Sequence, residues 1–188
     1  SVLTNKNSWV KITGDHSLKK RDMKRIILPL KKFGIKFKNK TGKLPLLIQA
    51  PKKFKSITYT ENLGSAQCKT AIMFAALKAH GKTKLKCIPS RNHTEIIFKN
   101  VLKVPIKTKK TKKYDLIDID GPQEFKPFNY KIPGDISSAS FFIVLTLLSR
   151  KNFLTIKNVN INPSRTGIIK ILNQMGARIK FVNKKKYK

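Results

Sequence analysis

With 188 residues, 40% hydrophobic and 27% charged, the chain holds enough material for one domain with a core, or for one domain and part of another, which excludes a peptide-sized scaffold. Its net charge of +33, from 42 Lys and Arg against 9 Asp and Glu, predicts attraction to polyanions, yet the 36 lysines are spread along the whole chain and clustered arginines with interleaved aromatics are sparse, so most of this charge reads as solvated surface. Two cysteines, Cys68 and Cys87, exclude a multi-bridge secreted framework and fit a reducing compartment; with His80 and His93 they show no fixed metal-ligand spacing, so neither a metal nor a cofactor is expected.

In chain order, Ile12-Thr13-Gly14-Asp15-His16-Ser17-Leu18 reads as an extended segment that turns at Gly into a helix, with Ser supplying an oxygen for the free amides of the helix start. Apolar residues at helical spacing run through Leu30 to a cap at Gly34 and then alternate as a strand over Ile35 and Phe37. Thr41-Gly42 bends the chain into 44–48, which predicts a hairpin. The Gly-Ser junction returns at Leu63-Gly64-Ser65-Ala66-Gln67, predicting a helix over 65–80, a strand over 83–88 and a second helix start at Pro89-Ser90-Arg91. Residues 99–113 hold seven lysines and no carboxylate, and 114–130 alternate with a turn at Gly121-Pro122, so strands and loops are expected up to a boundary near 130–133.

The junction appears a third time at Ile132-Pro133-Gly134-Asp135-Ile136-Ser137-Ser138-Ala139 and predicts a helix over 138–149, a strand over 153–159 and a start at Pro163-Ser164-Arg165. The spacing from Ser65 to Ser90 is 25 residues and from Ser138 to Ser164 it is 26, which argues for a duplicated unit. The ends of two units agree as well: Leu172 to Phe181 repeats the helix, Gly and strand order of Leu30 to Phe37, with Gly176 in the place of Gly34. The apolar run 139–148 is too short to span a bilayer and reads as a buried helix. No basic-apolar-small leader is seen at the first residues, so no signal segment is expected.

Five motifs, in order, carry a resemblance that spans essentially the whole chain. They are Gly14-Asp15-His16-Ser17-Leu18-Lys19-Lys20-Arg21-Asp22-Met23, Ser65-Ala66-Gln67-Cys68-Lys69, Ser90-Arg91-Asn92-His93-Thr94-Glu95, Pro133-Gly134-Asp135-Ile136-Ser137-Ser138-Ala139, and Asn162-Pro163-Ser164-Arg165-Thr166-Gly167 closing on Met175-Gly176-Ala177. This series resembles an internal portion of the 5-enolpyruvylshikimate-3-phosphate synthase family. The resemblance implies an α/β (α+β) fold, an inside-out α/β barrel of repeated βαβαββ units in two domains, with 1–131 part of the N-terminal domain and 132–188 the opening unit of the second.

It also implies a reaction, the transfer of an enolpyruvyl group from phosphoenolpyruvate to the 5-hydroxyl of shikimate 3-phosphate, on the route to chorismate and aromatic amino acids. By resemblance Arg21 and Gln67 meet phosphoenolpyruvate, while Ser65, Ala66, Gln67, Ser90 and Arg91 meet shikimate 3-phosphate. These residue types suit the chemistry, because both substrates carry a carboxylate and a phosphate, and helix starts with guanidinium forks recognise such groups. Each also has a plainer reading: Arg21 and Arg91 as surface arginines, Ser65 and Ser90 as helix caps. Lys69 reads as a solvated lysine or a long-range anion attractor. Asp15 and Asp135 read as structural turn residues. Asp22 stands where the family has Pro and is expected to compete for the charge of Arg21.

The family's Lys-Ser segment upstream, and its downstream acidic motifs that move protons, have no match in these residues, so the 188 residues alone are expected to be inactive. The resemblance further implies a cytoplasmic protein, monomeric when full length, with no membrane and no specific nucleic-acid partner. Two other readings stay open from the residues: a related enolpyruvyl transferase acting on a nucleotide sugar in wall synthesis, and a basic nucleic-acid-binding protein on the same scaffold. The Gly-Asp-x-Ser-Leu and Ser-Ala-Gln motifs favour the shikimate enzyme.

Overall fold

A computed structural model of the chain describes residues 8–39, 41–150 and 152–184. They separate into two compact units, 1–126 and 127–188. The first unit begins with strand β1 (Val10–Ile12), helices α1 (His16–Lys20) and α2 (Lys24–Lys32), and strands β2 (Lys36–Lys38) and β3 (Leu46–Gln49). The hairpin expected around Thr41-Gly42 forms: β2 pairs antiparallel with β3, Phe37 opposite Ile48. Its turn is held by the Asn39 side chain, which accepts from the Thr41 and Gly42 amides.

The chain continues through β4 (Phe54–Lys55), β5 (Thr58–Glu61), α3 (Ala66–Ala76), β6 (Ala79–Cys87), α4 (His93–Asn100), β7 (Ile106–Lys110) and β8 (Asp115–Gly121). From β5 to β8 this order reads βαβαββ, the unit that the resemblance implies. Strands β4 and β5 run parallel to β6, while β8 lies antiparallel between β6 and β7. The order β6-β8-β7 is repeated by the small sheet β1-β3-β2, also antiparallel throughout. The duplicated unit read from the residues is therefore visible in strand order as well, with α2 and α4 in corresponding places.

Helix α3 is apolar around most of its circumference and has to be covered on every side. Ile72, Met73, Ala75 and Ala76 are fully buried in one cluster with Leu30 and Phe33 of the α2 end, Phe98 of α4, Leu85 and Cys87 of β6, and Ile117 and Ile119 of β8. Phe74 meets Phe98 edge to face, with centroids 5.1 Å apart. Strand β6 alternates, turning Thr83, Leu85 and Cys87 inward and Lys82, Lys84 and Lys86 outward. At the far end Gly121 presses against the turn leaving α3: a Cβ there would lie 2.4 Å from the carbonyl oxygens of Ala76 and Ala79.

The predicted boundary between α3 and β6 is corrected. The helix stops at Ala76 rather than at His80, because Ala79 and His80 pair with Phe54 and Lys55 of β4. Serine is also displaced from two of the three expected caps. Asp15 accepts from the Leu18 amide at 2.7 Å and Asp135 from the Ser137 amide at 3.1 Å, while Ser65 caps α3 as expected. The aspartates are the structural turn residues they were read to be.

Pro29 lies inside α2 and has no amide to give the Arg25 carbonyl one turn earlier. The Cys68 thiol takes that place, donating to Arg25 O at 3.3 Å and joining α2 to α3. Burial pushes this thiol up from the ordinary 9.0 to about 11, so it stays protonated and able to donate. Burial raises Cys87 in the same way, to about 11.

The second unit contains α5 (Ile136–Leu148) and α6 (Gly167–Gln174). Its small core joins Ile136, Ala139 and Ile169 to Ile143, Val159, Ile168 and Ile179. Three expectations fail here. Residues 153–159 form no strand among the described residues, only a parallel bridge between Val159 and Gly134. Residues 177–181 form none either: the Asn173 side chain bonds both the N–H and the C=O of Ile179, groups that a strand would use. Helix α5 exists but is not buried; Phe141 is 78% exposed and Leu148 80%, and no sheet among the described residues of this unit covers it. No described helix is long and apolar enough to cross a membrane.

Two outcomes follow for the first unit. After α4 the chain passes through Lys103 at φ 56°, whereas the matching exits from α2 and α6 use Gly34 at 95° and Gly176 at 96°; Lys103→Gly is expected to raise urea-unfolding stability by about 1 kcal/mol. Both thiols are expected to resist a disulfide reagent at pH 8 until the chain is unfolded. Since folding raises their pKa, this contribution to stability is complete below the ordinary 9.0 and is lost as pH climbs through about 11, which a denaturation series across that window measures.

Candidate functional site

The starts of α2, α3 and α4 open onto one cleft of about 530 Å³. Leu18, Arg21, Met23, Arg25 and Ile26 line it from α1 and α2, Ala66, Gln67, Thr70 and Ala71 from α3, and Arg91, His93 and Thr94 from the approach to α4 and its first turn. Helix α1 ends at Arg21, which takes an extended conformation and donates its amide to Leu18 O at 3.1 Å. The chain then re-enters a helix, with the Asp22 carboxylate accepting from the Lys24 amide at 2.7 Å. Asp22 is thus engaged at the start of α2, and no ion pair links it to Arg21 among the described residues. The expected competition for the arginine charge is not seen.

Arg25 faces α3 and donates from Nη2 to the Gln67 Oε1 at 2.5 Å. Ala66 and Gln67 are the first two residues of α3, whose amides have no acceptor within the helix. Ser65 Oγ accepts from Cys68 N at 3.3 Å. Beneath this turn the buried Glu61 accepts from the Leu63 amide at 2.9 Å and the Ser65 amide at 3.2 Å, which fixes the approach to the helix. Across the cleft, the Thr70 and Thr94 hydroxyls meet at 2.6 Å.

Of the candidates read from the residues, Arg21, Ala66, Gln67 and Arg91 come together in this cleft. Ser65 and Ser90 do not line it: Ser65 is turned into its cap, and the Ser90 hydroxyl is buried without a hydrogen-bond partner. Helix α4 begins only at His93, so Ser90 is not its cap either. Lys69 is neither solvated nor a distant attractor; it is fully buried and its Nζ lies 2.7 Å from Glu95 Oε1. Arg25, His93 and Thr94 line the cleft but were not singled out. A signal for Arg25 existed: the first unit has only three arginines among its many lysines, Arg21, Arg25 and Arg91. All three line the cleft, and the lining contains no lysine and no carboxylate.

The second unit treats its matching arginine differently. Arg165 Nη2 donates to Ser137 Oγ and lies 3.4 Å from Asp135 Oδ1. The Asp135 carboxyl is held below its ordinary value by the Ser137 amide first, with Arg165 adding to it. Here the guanidinium fastens one helix start to the other, whereas the Arg21 and Arg91 guanidinium groups have no carboxylate partner among the described residues.

Comparison with known proteins agrees with the motif order. A sequence profile of EPSP synthase (3-phosphoshikimate 1-carboxyvinyltransferase) matches residues 1–187. The 3-phosphoshikimate 1-carboxyvinyltransferase of Caldicellulosiruptor bescii is 45% identical over 90% of this chain and 39% of its own length; that of Petrotoga mobilis is 43% identical over 98% of this chain and 42% of its own. Among solved structures, EPSP synthase from Acinetobacter baumannii superposes with a TM-score of 0.75 at 35% identity, covering 94% of this chain and 39% of that one. The chain spans about two fifths of the length of these relatives. In sequence and in fold, the chain belongs to the EPSP synthase family.

Proposed function

We propose that the first unit supplies one wall of a site that transfers the enolpyruvyl group of phosphoenolpyruvate to the 5-hydroxyl of shikimate 3-phosphate, releasing phosphate. One observation carries this reading: every arginine of the unit lines one cleft at three helix starts, with no carboxylate among the lining residues. Two ligands bearing four anionic groups need such a place, and guanidinium forks with free helix amides match carboxylate and phosphate oxygens. The names of the relatives favour the shikimate enzyme over a nucleotide-sugar transferase or a nucleic-acid binder.

In this reading Arg21 and Gln67 hold phosphoenolpyruvate, and Arg25 orients the Gln67 amide through its hydrogen bond. Arg91 and the amides of Ala66 and Gln67 hold the sugar phosphate. Ser65 contributes by ordering the first turn of α3. During the reaction the donor methylene carbon gains a proton to become a methyl group, the acceptor hydroxyl gives up its proton as its oxygen attacks the adjacent carbon, and the tetrahedral intermediate expels phosphate as the methyl group loses a proton to restore the methylene. The arginines stabilise the charge that moves through these steps. Groups that transfer the protons are assigned to segments other than these 188 residues. Residues 1–131 are assigned to the N-terminal domain of the family enzyme and 132–188 to the opening unit of the second, in a cytoplasmic protein that is monomeric at full length.

The reading is tested by NMR titration of the chain with shikimate 3-phosphate. Weak binding centred on Gln67 and Arg91 is expected, reduced about tenfold by Arg91→Gln and unchanged by Lys84→Gln on the outer face of β6. Equal losses in the two variants would replace a defined site with general charge attraction. With phosphoenolpyruvate added as well, the 188 residues alone are expected to release no inorganic phosphate; measurable release would overturn the assignment of the proton-transfer groups elsewhere.

A further inference from the structure

We infer that Lys69 and Glu95 are positioning residues, a buried ionic clasp that sets the register of α3 against α4 and so fixes where Gln67 and Arg91 stand in the cleft. The inference deepens the function proposed above and rests on it for the identity of the ligand. Lys69 is completely buried, and its ammonium is 2.7 Å from Glu95 Oε1, whose side chain is 12% exposed. The clasp is adjacent to the cleft on both helices. Lys69 follows Gln67 by two residues and precedes Thr70; Glu95 follows Thr94 directly and lies in the first turn of α4. Thr70 and Thr94 touch at 2.6 Å, so an ionic and a neutral hydrogen bond stand side by side between the helix starts.

The energetics of such a pair point to position rather than net stability. Two charges removed from water recover their desolvation only when they meet in good geometry, and an apolar pair of similar volume commonly serves stability as well or better. An apolar pair, however, tolerates sliding, whereas an ammonium on one carboxylate oxygen does not. Glu95 Oε2 is buried without a hydrogen-bond partner among the described residues, so the hold on the carboxylate runs through Oε1 and Lys69. Glu95 also stands in the first turn of α4, where the positive end of the helix favours a carboxylate. A shift of about an ångström between two groups that grip one ligand is enough to change function strongly.

The test separates position from stability by replacing both charges together. In Lys69→Met/Glu95→Leu the fold is expected to persist with a Tm near that of the parent. The NMR signals of the Gln67 side-chain amide and the Arg91 guanidinium are expected to move, and shikimate 3-phosphate affinity to fall about tenfold. Coincident signals and equal affinity in the folded double variant would overturn the inference. Should the double variant not fold, Lys69→Arg keeps the charge and relocates its donors; it is expected to shift the same signals, and unmoved signals would again overturn the clasp. If the parent chain binds no shikimate 3-phosphate, the functional reading fails by itself, while the signal comparison still decides whether the pair sets the helix register.

Discussion

A helix without a polar face has no place on a surface, and α3 imposes that constraint on the rest of the first unit. Its buried residues need cover from several directions, so α2 and α4 close on it from the helical side and β6 with β8 from the other. The lysines that alternate with core residues along β6 are thereby turned outward. Helices are drawn together inside and the sheet lies outside them. Once the helices pack this way, their starts meet at one end, and free amides with nearby arginines collect there without any separate device. The packing that buries α3 also assembles the cleft.

Two basic side chains divide the labour. In the first unit lysine, compact and strongly hydrated, decorates the outer faces, while arginine, weakly hydrated and forked, lines the cleft. The exception is instructive. Lys69 is the lysine that the core swallows completely, and it is placed within reach of a carboxylate. The second unit shows the same grammar with another result, since Arg165 is consumed in tying Asp135 and Ser137 together. Matching positions of the Pro-Ser-Arg repeat thus place a guanidinium at an open cleft in one copy and in internal bracing in the other.

Much of this was legible in the residues. The Gly-Ser junctions and the repeat spacing follow from turn chemistry and periodicity, the βαβαββ order came with the family resemblance, and motif order led to Arg21, Ala66, Gln67 and Arg91. What stayed hidden depended on partners far away in sequence. The end of α3 is decided by β4, which claims Ala79 and His80 as strand residues. The burial of Lys69 depends on Glu95, 26 positions on. Arg25 belongs to the cleft because Gln67 faces it from another helix. In the second unit alternation alone suggested strands at 153–159 and 177–181, but a strand exists only where a neighbour pairs with it. Composition alone likewise suggested burial for α5, and a helix is buried only when something is there to cover it.

The strands at the margins of the two sheets carry an unusual share of the positive charge. β1 presents Lys11, β2 presents Lys36 and Lys38, and β7 presents Lys107, Lys109 and Lys110, all exposed. A bare strand margin invites another chain to add to it, and ammonium groups along it oppose that docking both by repulsion between copies and by their demand for water. The excess of lysine that looks at first like a taste for polyanions therefore has a second effect: it guards a fold whose sheets face outward against growing into polymers of itself.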